Sequence, residues 1–203
     1  LLKQNIRTQN LKVSIEDVYL IQKPIKFLLA HRNISKSFFR LYKMPFHSVN
    51  DSYEVNQDNL EEQLKKFSLV KEWEETWPGS NDFMEHSVEL KMDGLKSGQY
   101  YLMVNNSKDI TSANILQGGA FQVSNFASIK YQMDNQFDKI IVVNRDKGAP
   151  IKGVKVVFFE STNKGYRSSP DYKIFETKIT DADGMVLIPK REQLRYYVSL
   201  KDD

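Results

Sequence analysis

The chain has 203 residues, a formal net charge of +3, 40% apolar and 12% aromatic residues, and no cysteine. This length fits two domains of about 100 residues, and the apolar content is enough to fill two cores. The lack of cysteine excludes disulfides, thiolate metal sites and cysteine nucleophiles here, and so thin a positive surplus is not typical of a nucleic-acid-binding surface.

Two features of the sequence concern its cellular context. No apolar run approaches the roughly 20 residues that cross a bilayer as a helix. The sequence begins at Leu1, with neither Met nor a basic, apolar leader. We therefore expect a segment cut from a longer protein, with any targeting signal outside it.

The N-terminal part of the chain has the pattern of a β-sheet. Residues 11–15 alternate between apolar and polar side chains, as half-buried strands do. After Pro24, Ile25, Phe27 and Leu29 alternate with Lys26, Leu28 and Ala30. A third β-rich run, Phe38–Tyr42, is followed by Pro45, which cannot donate a backbone hydrogen bond. We predict three strands in this part.

The character of the sequence changes after residue 56. Residues 57–67 contain good helix formers with apolar side chains on one face, which predicts an amphipathic helix. Ser68 is a suitable N-cap for a second helix, which Pro78 would end. Its apolar face would consist of Val70, Trp73 and Trp77. We therefore predict a helical insertion over about 57–77.

Strands resume after the insertion. Val88, Leu90 and Met92 alternate with charged residues. Residues 95–100, Leu-Lys-Ser-Gly-Gln-Tyr, predict a tyrosine corner, in which the phenol hydroxyl bonds back to the loop backbone. The apolar runs 101–104 and 120–123 complete a first domain, predicted as 1–123, with a second domain over 124–203.

The second half of the chain is predicted to be entirely β. Ile129, Tyr131 and Met133 alternate with polar residues. Five further strands are predicted at 140–143, 154–159, 174–180, 185–188 and 194–200. The turns between them contain Gly148 and Pro150 in one case and Asp181-Ala-Asp-Gly184 in another. Together the elements predict a mainly β fold of two sandwiches.

Residues that could carry chemistry are few. The three histidines, His31, His47 and His86, are far apart in sequence and lack the helical spacing of a zinc protease. Asp181 and Asp183 precede Gly184 as in some calcium loops, but strands flank them, and a turn is the better interpretation.

Other polar and aromatic groups have structural interpretations as well as functional ones. The carboxylates of Glu72, Glu74 and Glu75 could serve as an acid and base, but on the predicted helix they form its solvated face. Trp73 and Trp77 could stack on a sugar, although aromatic side chains at helical spacing usually pack into a core. Asn33 and Asn105 begin glycosylation motifs, relevant only in a secreted eukaryotic protein.

Two stretches resemble a known family. Residues 143–157, Val-Asn-Arg-Asp-Lys-Gly-Ala-Pro-Ile-Lys-Gly-Val-Lys-Val-Val, followed by Thr180-Asp-Ala-Asp-Gly184, are similar to the macroglobulin-type domain of bacterial alpha-2-macroglobulin-like proteins. Upstream, residues 27–33, 38–42 and 95–100 and the segment carrying Trp73 look like the macroglobulin domain that precedes it in Bacteroidetes members. The resemblance covers nearly the whole chain.

The resemblance implies two consecutive immunoglobulin- or fibronectin-like β-sandwiches of the macroglobulin type, the first with a helical insertion. It implies non-catalytic scaffold domains of a protease-trapping protein, an endopeptidase inhibitor, in the periplasm or at the cell surface and open to lipid anchoring. The expected partners are other domains of the same polypeptide and, through the parent protein, proteases. Neither nucleic acid nor membrane is expected to contact this segment.

We expect no enzymatic activity and assign no catalytic, cofactor-binding or metal-binding residue, and no cofactor. A binding module of a cell-surface nutrient-uptake system is the alternative. It would take glycan or protein, and it predicts an exposed aromatic cluster at Trp73 and Trp77 or at Tyr166 and Tyr172. An enzyme is a third hypothesis and needs a cleft with convergent carboxylates.

Overall fold

The computed structural model describes residues 7–45, 60–78, 82–109, 116–133, 136–161, 172–190 and 194–199. These residues fall into two compact units, and the boundary lies between Ser124 and Asn125. We call the part up to Ser124 unit 1 and the part from Asn125 unit 2. Each unit is almost entirely β.

Unit 1 contains two sheets. Its elements are β1 (Asn10–Ser14), β2 (Val18–Tyr19), β3 (Ile25–Arg32), β4 (Lys36–Met44), α1 (Leu60–Leu64), β5 (Ser68–Thr76), β6 (His86–Met92), β7 (Gly98–Asn105) and β8 (Leu116–Val123). The strands form a three-stranded sheet, β1-β3-β6, and a five-stranded sheet, β2-β8-β7-β4-β5. Neighbouring strands are antiparallel except β2 and β8.

The core of unit 1 lies between these sheets. Leu11, Phe27 and Leu29 from the three-stranded sheet meet Phe39 and Leu102 from the five-stranded sheet in one buried cluster. The predicted alternation is therefore confirmed, since Leu11, Phe27 and Leu29 face this core, whereas Leu28 on the other side of β3 is 45% exposed. Burial of these side chains is the main stabilising contribution to the unit.

The tyrosine corner is also confirmed. The Tyr100 hydroxyl donates a hydrogen bond of 3.0 Å to the backbone oxygen of Lys96, four residues earlier. Burial raises the pKa of Tyr100, so the hydroxyl keeps its proton and remains a donor. The bond fixes the loop that leads into β7.

The helical insertion is wrong over most of its predicted range. Only α1, Leu60–Leu64, is helical among the described residues of 57–77, and residues 57–59 lie outside them. The segment that carries Trp73 is the strand β5, paired with β4. The apolar residues Val70, Trp73 and Trp77 have helical spacing, and pairing with β4 overrides this local pattern.

Unit 2 is a smaller sandwich. Its strands are β9 (Phe126–Gln132), β10 (Phe137–Asn144), β11 (Lys155–Ser161), β12 (Tyr172–Ile179), β13 (Met185–Pro189) and β14 (Leu194–Ser199). They form two three-stranded sheets, β13-β10-β9 and β12-β11-β14, which are antiparallel throughout. The core contains Ile140, Val142 and Ile188 from the first sheet, with Val156 and Phe158 from the second.

Two turns hold the strands of unit 2. Asn144 donates its N–H to the carbonyl of Ala149, and Gly148 adopts φ of +68° between them. Gly184 adopts φ of +69° in the turn after Asp181. Both glycines sit in left-handed backbone that favours a residue without Cβ, which confirms the predicted turns.

Thr180 connects the second turn to the start of β11. Its hydroxyl donates to the Ile151 carbonyl at 2.6 Å and accepts from the Val154 N–H at 2.9 Å. The side chain is buried, so both bonds are shielded from water and their loss would leave polar groups unsatisfied.

Candidate interaction surface

The tryptophans belong to the core of unit 1. Trp77 is only 9% exposed, its ring stacks on His31 with centroids 5.0 Å apart, and its Nε1 donates to Ser37 Oγ at 2.9 Å. Trp73 is half-buried and stacks on Phe39 at 4.9 Å with an interplanar angle of 8°. These contacts contradict the exposed tryptophan cluster that a glycan platform requires. Tyr166 and the side chain of Tyr172 lie outside the described residues.

The fold brings two of the three histidines together. His31 and His86 are opposite each other on β3 and β6, with ring centroids 5.9 Å apart. His86 Nε2 lies 3.0 Å from the Asp82 carboxylate. Burial, together with the nearby His86, lowers the pKa of His31. Strand register produces this cluster, and nothing in the spacing of the histidines along the chain indicates it.

The two histidine rings pack against aromatic and acidic neighbours. Across the described residues no three His, Asp or Glu side chains are arranged to hold a metal ion. His31 is instead covered by Trp77, and its apolar surroundings disfavour a charged ring. His47 lies outside the described residues.

The acidic groups singled out in the sequence have structural partners. Asp181 Oδ1 accepts the N–H groups of Asp183 at 3.0 Å and Met185 at 2.8 Å, so this carboxylate caps the turn. Glu72 and Glu74 face Arg40 and Lys36 across β4 and β5, at 3.5 Å and 2.8 Å. The Lys36–Glu74 pair is exposed on both sides and contributes little to stability.

The two asparagines of the glycosylation motifs differ in accessibility. Asn105 is fully buried, and its side chain bonds the backbone of Asp109 and Ser107. It therefore cannot accept a glycan in the folded chain. Asn33 is half-buried with φ of +57°, and its Nδ2 donates to the Thr8 carbonyl.

The surface that differs most from an ordinary solvated face is on unit 2. In the β13-β10-β9 sheet, Asp138, Ile140 and Val142 point into the core. Their neighbours on β10 and the residues in register with them on β9 and β13 point outward. These residues are Ala127, Ile129, Tyr131, Met133, Phe137, Lys139, Ile141, Val143, Met185, Leu187 and Pro189. We call this set the outer face.

The outer face is apolar at every position but one. Ile129 is 43% exposed, Tyr131 47%, Leu187 48% and Met133 56%. Lys139 is the exception, and it lies in the middle strand, in register with Tyr131 and Leu187. Its Nζ lies 5.5 Å from the centroid of the Tyr131 ring, a cation–π geometry.

The other side of β9 is polar. Ser128, Lys130 and Gln132 alternate with the apolar residues and are in register with Val142, Ile140 and Asp138, on the core side of the sheet, where at this edge strand they remain exposed. Lys130 reaches Asp138, which is buried, at 2.8 Å. The more apolar side of this edge strand therefore faces away from the core. Alternation alone predicted the strand and did not reveal which side is exposed.

In architecture the chain is a pair of consecutive β-sandwiches. Over 93% of its length it is similar to a crystal structure of native alpha-2-macroglobulin from Escherichia coli spanning domains MG0-NIE-MG1, with a TM-score of 0.64 and 13% identity. It spans 62% of that structure. A structure of the same Escherichia coli protein spanning NIE-MG1 matches with a TM-score of 0.59 and 12% identity, covering 93% of this chain and 95% of that one.

At this identity the likeness concerns the fold. The chain has the fold of consecutive macroglobulin-type domains. No protein-family model matches the sequence, and no curated protein matches it. Within the described residues, no helix has both the length and the apolar character needed to cross a membrane.

Proposed function

We propose that these residues are non-catalytic scaffold domains of an alpha-2-macroglobulin-like protein that traps proteases. The observation that carries the proposal is the match to the NIE-MG1 structure, which runs through nearly all of both chains. On this proposal unit 1 corresponds to the NIE domain and unit 2 to MG1. The resemblance of residues 27–33, 38–42 and 95–100 to the macroglobulin domain of Bacteroidetes members supports a parent of that type.

The geometry of both units suits a scaffold. Their polar groups serve the fold: Asp181 caps a turn, Thr180 joins a turn to a strand, and Tyr100 fixes a corner. Rigid sandwiches of this kind hold distant parts of a protein in register. Cleavage elsewhere in the parent is then transmitted as a rearrangement between domains.

The proposal extends to location and partners. The parent acts in the periplasm or at the cell surface, where a lipid anchor outside these residues would hold it. Its proteases contact other parts of the polypeptide, and these two units contact neighbouring domains. Neither nucleic acid nor membrane is a partner of this segment.

The test compares the parent protein with the 203-residue chain. A trap encloses a protease without blocking its active site. The parent should therefore inhibit digestion of a large protein such as casein by trypsin or elastase, while cleavage of a small chromogenic peptide continues. The 203-residue chain alone should change neither rate.

Two results would count against the proposal. One is a parent that leaves casein digestion unchanged. The other is inhibition of both substrates by the 203-residue chain, because that would make it a direct active-site inhibitor.

A further inference from the structure

We propose that the outer face of unit 2 is a docking surface for another folded domain of the same polypeptide. The docked domain presents an apolar surface with a carboxylate opposite Lys139. This proposal depends on the proposed function, since that supplies the neighbouring domains. It adds which surface they cover and the chemistry that recognises it.

The outer face has an unusual composition for the solvent side of a sheet. A sheet that packs on one side normally carries polar side chains on the other. Here the three strands present apolar residues outward at every register position except Lys139. A continuous apolar patch of a few hundred Å² on a protein surface is often functional.

The outer face is small compared with the interfaces of stable complexes. Three strands at about 4.8 Å spacing and four outward residues along a strand give a footprint of about 350 Å². A stable complex of free proteins buries about 800 Å² per partner, so this face is too small to hold a free protein tightly. A tethered domain binds adequately, because a short linker gives an effective concentration on the order of millimolar.

The centre of the outer face carries the positive charge of Lys139. If two copies of the chain paired through this face, Lys139 of each copy would approach the other across the two-fold axis. Burying two like charges at close range is unfavourable. An acidic group on the docked domain makes the interaction energy favourable, because a carboxylate would pair with the ammonium of Lys139. The methylenes of Lys139 and the Tyr131 ring would stay packed together.

Methionine oxidation by hydrogen peroxide tests directly whether another domain covers the outer face. Met133 lies on the outer face and is 56% exposed, whereas Met84 lies in unit 1 and is 65% exposed. In the 203-residue chain both should oxidise at similar rates. In the parent protein, a face docked for 90% of the time should slow Met133 oxidation about tenfold and leave Met84 unchanged. Peptide mass spectrometry measures both.

Two variants of the parent identify the surface. Leu187→Glu places a charge on the outer face and should return Met133 to the oxidation rate of the 203-residue chain. Ile174→Glu is the matched control, since Ile174 is 63% exposed on β12 of the other sheet. It should leave Met133 protected. Circular dichroism of both variants checks that the sandwich is intact.

The outcomes separate the alternatives. Equal Met133 oxidation in the parent and in the 203-residue chain overturns the proposal. Protection already present in the 203-residue chain and lost on dilution also overturns it, in favour of a second copy. The casein assay on the same parent preparation is independent: intact inhibition with an accessible Met133 rejects only the docking surface, and absent inhibition with a protected Met133 rejects only the trap.

Discussion

β7 in unit 1 and β10 in unit 2 contain similar apolar runs and have different surroundings. Every side chain from Tyr100 to Val104 is buried, including Tyr101 and Met103, which point away from the inner core. In β10, Ile140 and Val142 are buried, while the outward residues are half-buried or exposed. An unbroken apolar run thus favours a strand that is covered on both sides, and among the described residues of unit 2 β10 is covered on its core side only.

The largest expected effect tests this difference. Met103→Ala removes a fully buried side chain from the outer side of β7, and should lower the free energy of unfolding of unit 1 by about 2–5 kcal/mol. Leu187→Ala, at a 48% exposed position, should cost less than about 1 kcal/mol in unit 2. Urea unfolding measures both losses. Fluorescence of Trp73 and Trp77 follows unit 1 alone, and circular dichroism follows unit 2.

The comparison has a clear counter-result. If Leu187→Ala destabilised the 203-residue chain as much as Met103→Ala, the outer face would be covered within the chain. The two strands would then have equivalent surroundings, and the docking surface would lose its basis.

The next prediction compares alanine substitutions in the two turns of unit 2. Gly148 and Gly184 have nearly equal φ, +68° and +69°. A Cβ on Gly148 meets open space, whereas one on Gly184 would lie 2.5 Å from the Val142 carbonyl oxygen and 3.0 Å from the Ile151 nitrogen. Gly148→Ala should therefore cost about 1–2 kcal/mol, the backbone contribution alone.

Gly184→Ala adds steric overlap to the same backbone cost. We expect a total loss of about 2–4 kcal/mol, since a conformational outlier and a displaced carbonyl combine. Denaturant unfolding of unit 2, followed by circular dichroism, measures the difference between the two variants. Equal losses would show that the backbone around Gly184 relaxes freely.

A smaller effect concerns the corner of unit 1. Tyr100→Phe removes the hydroxyl that donates to Lys96, and should cost about 0.5–1.5 kcal/mol. Tyr131→Phe on the outer face is the matched control, and it should change stability by less than about 0.5 kcal/mol. Tryptophan fluorescence follows the first variant and circular dichroism the second. A neutral Tyr100→Phe would mean that packing alone positions the corner.

Sequence patterns predicted the elements whose signals are local. The alternation in 11–15 and 25–29 identified strands, and Gly148 and Gly184 identified turns, because left-handed backbone requires residues of this kind. The spacing of Leu95, Gly98 and Tyr100 identified the corner. In each case the signal lies within a few consecutive residues.

What the sequence did not reveal depends on contacts between distant segments. The apolar residues around Trp73 have helical spacing, and pairing with the distant strand β4 makes the segment a strand all the same. His31 and His86 meet because of strand register. The sequence does not reveal the outer face for the same reason. Alternation in β9 distinguishes two sides of the strand, but the position of β11 and its neighbours determines which side faces the core.

The smallest expected effect is a pH dependence confined to unit 1, since the described residues of unit 2 contain no histidine. The pKa of His31 is lowered from its ordinary 6.5 by burial and by the facing His86. As pH falls through 6.5, the unfolded chain takes up a proton before the folded chain does. The stability of unit 1 is therefore greatest above pH 6.5 and decreases until the pH reaches the folded pKa of His31.

Two variants isolate this contribution. His31→Gln should remove the part of the pH dependence that belongs to the buried ring, as followed by tryptophan fluorescence in urea at several pH values. His86→Gln removes the facing imidazole that helps to lower the pKa of His31, so an NMR titration should show that pKa rising toward 6.5. Asp82, which holds His86 at 3.0 Å, then has no imidazole partner at that position. An unchanged pKa of His31 in His86→Gln would mean that burial under Trp77 alone lowers it.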